Sequence, residues 1–146
     1  MKKIPAVTAT TFEPRTQSLV RKQFGKVGAQ LQPAEHVDPL GPRFVAAQLQ
    51  HQISNALREA LIGEGINLET YASNQTRSVP GMSYDRLVRV LRGETLMQLA
   101  DLVTWAQQFD NVRALLLLEE TWGTASTDPT GEHQALESGD GGVAGQ

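Results

Sequence analysis

The sequence predicts an all-α protein of four to five helices. Between residues 42 and 122, apolar residues recur at helical spacing, and glycine or proline separates the periodic segments. No stretch alternates apolar and polar residues as a strand would. The chain has 146 residues, of which 40% are hydrophobic and none is cysteine. That length allows one packed domain but not two, and the absence of cysteine excludes disulfides and thiolate metal sites.

Charge and composition divide the chain into three parts. The formal net charge is −3, but residues 1–32 carry six basic residues against one acidic residue, and residues 95–146 carry one against eight. Five prolines interrupt residues 1–42, and six glycines occur from residue 123 onward. We expect a basic, largely extended N-terminal arm and linker at 1–41, a helical domain at 42–122, and a disordered acidic tail at 123–146. Residues 16–24 of the arm are predicted to form a short helix.

The first predicted helix is long and amphipathic. Pro42 suits the first position of a helix, because proline has no backbone N–H to leave unpaired there. Apolar residues at spacings of three and four then continue from Phe44 to Leu61, and Gly63 and Gly65 end the run.

Capping residues mark the next two helices. Asn67 predicts a helix from residue 68 to about residue 74, followed by a polar loop at 75–81. Ser83 is a favourable N-cap for the third helix, and Gly93 ends it ten residues later.

Two further helices are predicted after Gly93. The fourth starts at Thr95, and the fifth covers residues 112–122. The apolar stripe of the fourth helix consists of Leu96, Leu99, Leu102, Val103, Ala106 and Phe109, with Trp105 beside it.

The third predicted helix has an apolar face and an arginine face. The apolar positions are Leu87, Val90 and Leu91, and the arginines are Arg86, Arg89 and Arg92. Such a helix fits the major groove of DNA, because the apolar face anchors it while the basic face stays free for an anionic partner. This interpretation requires the guanidinium groups of Arg86 and Arg89 to project outward.

Three segments together resemble the phage repressor/Cro-like (XRE-type) helix-turn-helix DNA-binding family. Residues 65–72 are similar to the turn and short helix of that family, 82–94 to its reading helix with a closing arginine-glycine pair, and 102–109 to its last helix. The resemblance covers residues 43–112 and implies a repressor-like helix-turn-helix bundle. Residues 73–82 are longer than the corresponding family segment, and the connection after Gly93 is shorter.

The resemblance implies contacts to double-stranded DNA. Base contacts are expected from Ser83, Tyr84, Asp85, Arg86 and Arg89. Backbone contacts are expected from Thr70, Gln75, Arg77 and Arg92, and from Arg21 and Lys22 of the basic arm. These assignments describe a cytoplasmic, nucleoid-associated transcriptional regulator, and the family favours a repressor. Arginines at this spacing also occur on ordinary solvated helix faces, so the alternative is a helical protein that binds no nucleic acid.

Leucines at positions 115–118 suggest a second surface. They offer more apolar area than one helix on a small domain usually hides, which favours a homodimer reading two half-sites. The alternative is a fifth helix folded back onto its own domain. A protein-interaction module on the same helical fold, such as an antitoxin, is a further alternative, with its partner bound through Leu115 to Trp122 or through residues 1–41.

The sequence contains little that indicates an enzyme or a membrane protein. The three histidines, His36, His51 and His133, lack metal-ligand spacing, and no phosphate-binding glycine loop or nucleophile motif is present. The longest apolar run, residues 114–118, is far too short to span a bilayer. We expect no catalysis, no cofactor and no metal.

Overall fold

The computed structural model describes residues 12–78 and 82–123, apart from the side chains of residues 76–78. It contains five α-helices in these ranges: α1 (Pro42–Glu64), α2 (Leu68–Ser78), α3 (Tyr84–Leu91), α4 (Leu99–Gln108) and α5 (Asp110–Leu117). Three short 3₁₀ helices, Pro14–Gln17, Arg21–Gln23 and Glu119–Trp122, flank them, and the described ranges hold no strand. The all-α prediction is confirmed. The acidic tail predicted beyond Gly123 lies outside the described residues.

Local backbone signals explain where α1 and α3 begin and end. Pro42 occupies the first turn of α1, and Gly65 ends it with a φ of +72°. The Ser83 side chain caps α3 by accepting the N–H of Arg86 at 3.2 Å, and Gly93 follows with a φ of +75°. Both glycines adopt the left-handed conformation that residues with a Cβ atom avoid.

α2 is longer than predicted. It continues through residues 75–78, where the sequence predicts a loop, and ends at Ser78. No glycine or proline occurs between Asn67 and Pro80, so nothing in the sequence stops the helix earlier. The remainder of the predicted loop, residues 79–81, lies outside the described residues.

α4 starts at Leu99 instead of at Thr95, because a buried glutamine of α1 holds the preceding backbone. The Gln50 side-chain amide donates to the carbonyl oxygens of Val90 at 2.8 Å and Thr95 at 2.9 Å. Its oxygen accepts the N–H of Met97 at 2.8 Å. These three hydrogen bonds keep the connection out of a helix.

The predicted apolar stripe of α4 is wrong in part. Leu96, Leu99 and Val103 are exposed to 45%, 75% and 47%, whereas Asp101, Trp105 and Phe109 face the core. Trp105 is completely buried, and burying this large ring stabilises the fold more than burying Val103 would. The sequence offered two apolar faces, and the face containing the tryptophan is the buried one.

The C-terminal part of the domain folds back onto α1. α5 ends at Leu117, earlier than predicted, and a 3₁₀ helix covers Glu119–Trp122. Val112 is fully buried, and a Cβ atom on Gly123 would lie 2.7 Å from a methyl group of Val45. Leu117, in contrast, is 83% exposed. This segment therefore packs on its own domain and also presents apolar surface to solvent.

The main core lies where the C-terminal half of α1 meets the other helices. α1 packs against α3 and α5, α2 packs against α3, and α4 packs against α5. The larger buried core residues are Ile53, Leu57, Leu61, Tyr71, Met82, Leu87, Val90, Leu91, Trp105, Phe109 and Val112. None of the helices in the described part of the chain is both long and apolar enough to cross a membrane.

The expected extended arm is corrected for residues 12–41, which pack against the helices. Phe24 and Leu31 are buried with Phe44 and Ala47 of α1 in a second, smaller core. Backbone hydrogen bonds join Leu19 to Gln32 and Ala34 to Gln17, so the segment folds on itself as a wrap around α1. A buried apolar cluster outweighs the proline-rich, irregular backbone that suggested an extended chain.

The helix predicted at 16–24 is also corrected. Two 3₁₀ helices, Pro14–Gln17 and Arg21–Gln23, replace it. Leu19 and Val20 lie between them and are 57% and 48% exposed, so only Phe24 of the predicted apolar side is buried. Pro14 at the start and Gly25 at the end leave too little chain for a stable α-helix.

His51 of α1 fastens the wrap to the helical domain. Its Nδ1 accepts the N–H of Gly25 at 2.9 Å, and its Nε2 lies 2.7 Å from the carbonyl oxygen of Ala29. Because Nδ1 is an acceptor, the proton of the neutral ring sits on Nε2 and is donated to Ala29. Burial lowers the pKa of His51 below its ordinary value, which favours this neutral ring.

Candidate nucleic-acid interface

α3 is anchored by one face and exposed on the other. Leu87, Val90 and Leu91 are completely buried, as the sequence predicts. The opposite side, which includes Ser83, Tyr84, Asp85, Arg89 and Arg92, is exposed. A helix of eight residues is about 12 Å long, comparable to the width of the major groove.

Arg86 does not project freely from α3, and the prediction for this residue is corrected. Its Nη1 donates to Oδ1 of Asp101 at 2.9 Å, and its Nη2 donates to Oδ2 of the same carboxylate. The side chain of Asp101 is only 5% exposed and that of Arg86 only 20%. Hydrogen bonding to Asp101 raises the pKa of Arg86 above its ordinary value. Arg86 therefore links α3 to α4 and is not available to a base.

Arg89 keeps the expected orientation. It is exposed, and it has no ion-pair partner among the described residues. Tyr84, Asp85, Val88 and Arg92 surround it along a shallow depression on the outer side of α3. The unpaired Arg89 thus shares this depression with a tyrosine and an aspartate, whose polar groups can also hydrogen-bond base edges.

The C-terminal end of α3 is clamped by the wrap. The N–H of Arg15 donates to the carbonyl oxygen of Gly93 at 3.0 Å. A Cβ atom on Gly93 would lie 2.7 Å from the nearest carbon of the Phe24 ring. A Cβ atom on Gly25 would lie 2.1 Å from the carbonyl oxygen of Leu91. Both glycines are needed for this close approach. The clamp and the Ser83 cap fix the helix at both ends.

The residues expected to contact phosphates differ in how exposed and how free their side chains are. Thr70 of α2 is exposed and shares a shallow groove with Ser83 and Tyr84, so it flanks the start of α3. Gln75 is half-buried, and its oxygen accepts a hydrogen bond from Gln108 of α4 at 2.8 Å. That bond holds α2 to α4, so Gln75 is less free than expected. The side chain of Arg77 lies outside the described residues.

Arg21 and Lys22 lie with Arg92 on the wall of a larger cavity, so Arg92 borders both this cavity and the depression around Arg89. Arg21 and Lys22 are exposed, as a phosphate contact requires. Arg58 of α1 lines the same cavity, although in the sequence it occupies an ordinary polar position of a long amphipathic helix. No local sequence signal identifies it, since the cavity is formed by segments far apart in the chain.

In the described ranges, no group of three or more histidine or carboxylate side chains is placed to hold a metal ion.

No protein-family profile matches the chain, and no curated protein or solved structure matches it either. The resemblance to repressor-like helix-turn-helix domains therefore depends on the residues at 65–72, 82–94 and 102–109 alone.

Proposed function

We propose that the protein is a sequence-specific regulator that binds double-stranded DNA and reads the major groove with α3. The supporting observation is the division of α3 into a fully buried apolar face and an exposed face that carries the unpaired Arg89. A helix fixed at both ends presents its side chains in one geometry, which lowers the entropic cost of binding. By its resemblance the protein is a repressor that occupies an operator at the nucleoid, in the cytoplasm.

Arg89 carries the base specificity in this proposal. A guanidinium group can donate to O6 and N7 of one guanine, and each such pair contributes about 1–3 kcal/mol of discrimination. Asp85, one turn earlier on the helix, accepts from a cytosine amino group, and Ser83 and Tyr84 reach neighbouring positions through their hydroxyl groups. The requirement that both arginines project outward holds for Arg89 but fails for Arg86, so the proposal depends on Arg89 alone for the guanine contact. Arg86 instead positions the helix through its pairing with Asp101.

Thr70 and Arg92 supply the phosphate contacts on either side of α3. Arg21 and Lys22 add positive charge next to Arg92. Charges of this kind strengthen binding to every duplex and make it dependent on salt, but they do not select a sequence.

A homodimer accounts for the apolar surface at the end of α5. Leu117, Leu118 and Trp122 are exposed to 83%, 46% and 47%. Covering these side chains with a second copy would remove them from water and set two α3 helices at a fixed spacing, as reading two half-sites requires.

Selection of bound duplexes from a random pool, at two salt concentrations, tests the proposal. We expect enrichment of one motif, and Arg89→Ala should weaken binding to it by about 1–3 kcal/mol and relax the base preference at one position. Arg113→Ala is the matched control, because Arg113 is an exposed arginine of α5 that lines neither depression beside α3 and pairs with Asp110. Failure to enrich any motif, or equal effects of the two substitutions, would contradict the proposal.

The second candidate function is a protein-interaction module of the antitoxin kind. The exposure of Leu117 favours it as much as it favours a homodimer. Sedimentation of Leu117→Ser beside the unaltered chain separates the two. A shift from dimer to monomer supports the homodimer, whereas a monomer in both cases supports a surface for a different partner.

A further inference from the structure

A cavity of about 770 Å³ lies between the wrap and the helical domain. Its walls come from the 3₁₀ helix Arg21–Gln23, the last turns of α1, the start of α2 and the exit of α3. Sites for small organic ligands occupy about 300–1,000 Å³, so this cavity has the size of a ligand site.

The cavity is strongly cationic although the chain as a whole is acidic. Its basic lining residues are Arg15, Arg21, Lys22, Lys26, Arg58 and Arg92, and its acidic lining residue is Glu94. Glu94 is paired with Arg15 at 3.8 Å. The other five cations have no ion-pair partner among the described residues. So many unpaired positive charges around one concavity attract an anion.

Arg58 is the cation whose charge most lacks a partner. Its Nε is buried without a hydrogen-bond partner. Burial and, to a smaller extent, the nearby charge of Arg92 lower the pKa of Arg58 below its ordinary value. A guanidinium group that has lost water and faces another cation is unfavourable unless an anion compensates it.

The start of α2 adds to this positive environment. Asn67 and Leu68 line the cavity, and Asn67 caps the helix by accepting the N–H of Thr70 at 2.8 Å. The N-terminus of an 11-residue helix carries partial positive charge that favours an anionic group beside it.

Part of the lining of the cavity is apolar. It consists of Phe24, Val27, Leu61, Ile62, Ile66 and Leu68. Ile62 is 72% exposed, an unusual degree for an isoleucine that lies beside buried Leu61. A free phosphate ion or a DNA backbone would meet the cations but leave these apolar side chains against water. The ligand that satisfies both parts has a compact anionic head and an apolar body.

We propose that the cavity binds a small amphipathic anion, an organic phosphate or carboxylate, with its head at Arg58 and its apolar body against Leu61, Ile62 and Ile66. The cavity shares Arg21, Lys22 and Arg92 with the proposed phosphate contacts, but Ser83, Tyr84, Asp85 and Arg89 do not line it, so binding of the small anion is measured without DNA. The phosphate and the carboxylate share the required chemistry, and the experiment distinguishes them.

Isothermal titration of the full chain with octyl phosphate and with octanoate tests the site. We expect saturable, one-to-one binding of at least one of them, and the tighter binder identifies the head group. Inorganic phosphate and 1-octanol, which each supply half of the ligand, should bind at least tenfold more weakly. Equal binding of inorganic phosphate and octyl phosphate, or no binding of either octyl anion, would overturn the proposal.

Three variants locate the site. Arg58→Gln should weaken binding of the octyl anion at least tenfold, and so should Ile62→Asp, which changes an exposed side chain and leaves the core intact. Arg113→Gln, an exposed arginine outside the cavity, should bind within twofold of the unaltered chain. Circular dichroism of each variant checks its fold. Undiminished binding by folded Arg58→Gln and Ile62→Asp would place the ligand elsewhere and refute the proposal.

Discussion

Arg86 of α3 and Asp101 of α4 form an ion pair with two hydrogen bonds, which fixes the position of α3 against α4. Oδ2 of Asp101 also accepts the N–H of Gln98 at 2.9 Å, so the carboxylate closes the first turn of α4 as well. With its side chain 5% exposed, Asp101 depends on these partners for the hydrogen bonds it has lost to water. The same group thus caps one helix and orients another.

Removing the charge of Asp101 should destabilise the protein. Asp101→Asn leaves Arg86 partly buried without its counter-charge, and we expect the free energy of unfolding to fall by about 2 kcal/mol. Urea titration measures this loss in the free energy of unfolding. Asp110→Asn is the matched control, because the pair between Asp110 and Arg113 is exposed and such pairs contribute little. Similar losses in the two variants would contradict the role of the buried pair.

The two arginines of α3 should differ in their effect on DNA binding. Arg86→Ala misplaces the helix without removing a base contact, so we expect it to weaken all duplexes by a similar factor. Arg89→Ala should instead lose about 1–3 kcal/mol on the cognate site and relax one base position. Binding competition with singly substituted duplexes, at a temperature where both variants are folded, measures the difference. A base preference that changes in Arg86→Ala but not in Arg89→Ala would reverse these assignments.

Arg86 also indicates where sequence patterns stop being informative. Arginines three residues apart predict one outward row, but Arg86 lies one turn before the fully buried Val90 and therefore at the edge of the buried face. Its partner is 15 residues away, on a helix whose start the sequence did not locate correctly. Helical spacing identifies a face, whereas a partner across a connection depends on tertiary packing.

The parts of the fold that were predicted correctly depend on local signals. Pro42 and Gly65 at the ends of α1, and Ser83 and Gly93 at the ends of α3, act through neighbouring backbone atoms. The wrap has no such signal, because the contact between Gly25 and His51 joins residues 26 apart. The cationic cavity was missed for the same reason, since the wrap forms one of its walls.

The contact between Phe24 and Gly93 predicts opposite results for two glycine substitutions. Gly93→Ala puts a methyl group against the Phe24 ring and forces alanine into a φ of +75°, so we expect a loss of about 2 kcal/mol. Gly63→Ala lies within α1 with open space around its Cβ position and should gain up to about 1 kcal/mol. Denaturant unfolding compares the free energies of unfolding of the two variants with that of the unaltered chain. A neutral Gly93→Ala would mean that the wrap is not held tightly against the exit of α3.

His51 predicts that the protein loses stability as the solution becomes acidic. Protonation would place a hydrogen on Nδ1, which accepts the N–H of Gly25 in the neutral ring. Two donors would then face each other, and the hydrogen bond would be lost. Burial lowers the pKa of His51 in the folded protein below the value of about 6.5 expected when unfolded. The unfolded chain therefore binds a proton more readily, and the contribution of the neutral ring is complete above about pH 6.5. It is lost as the pH falls from there toward the lowered pKa of the folded state.

Urea unfolding and amide exchange of Gly25 at pH 7.5 and pH 5.5 test this prediction. Both the stability and the protection of the Gly25 N–H should be lower at pH 5.5. His51→Gln removes the titrating ring, so the change in stability between the two pH values should be smaller in this variant than in the unaltered chain. His51→Gln should also be the less stable chain at pH 7.5, because it replaces a ring packed edge-on against Phe24. The same pH dependence in both chains would assign the acid sensitivity to other groups and contradict a role for His51 in fastening the wrap.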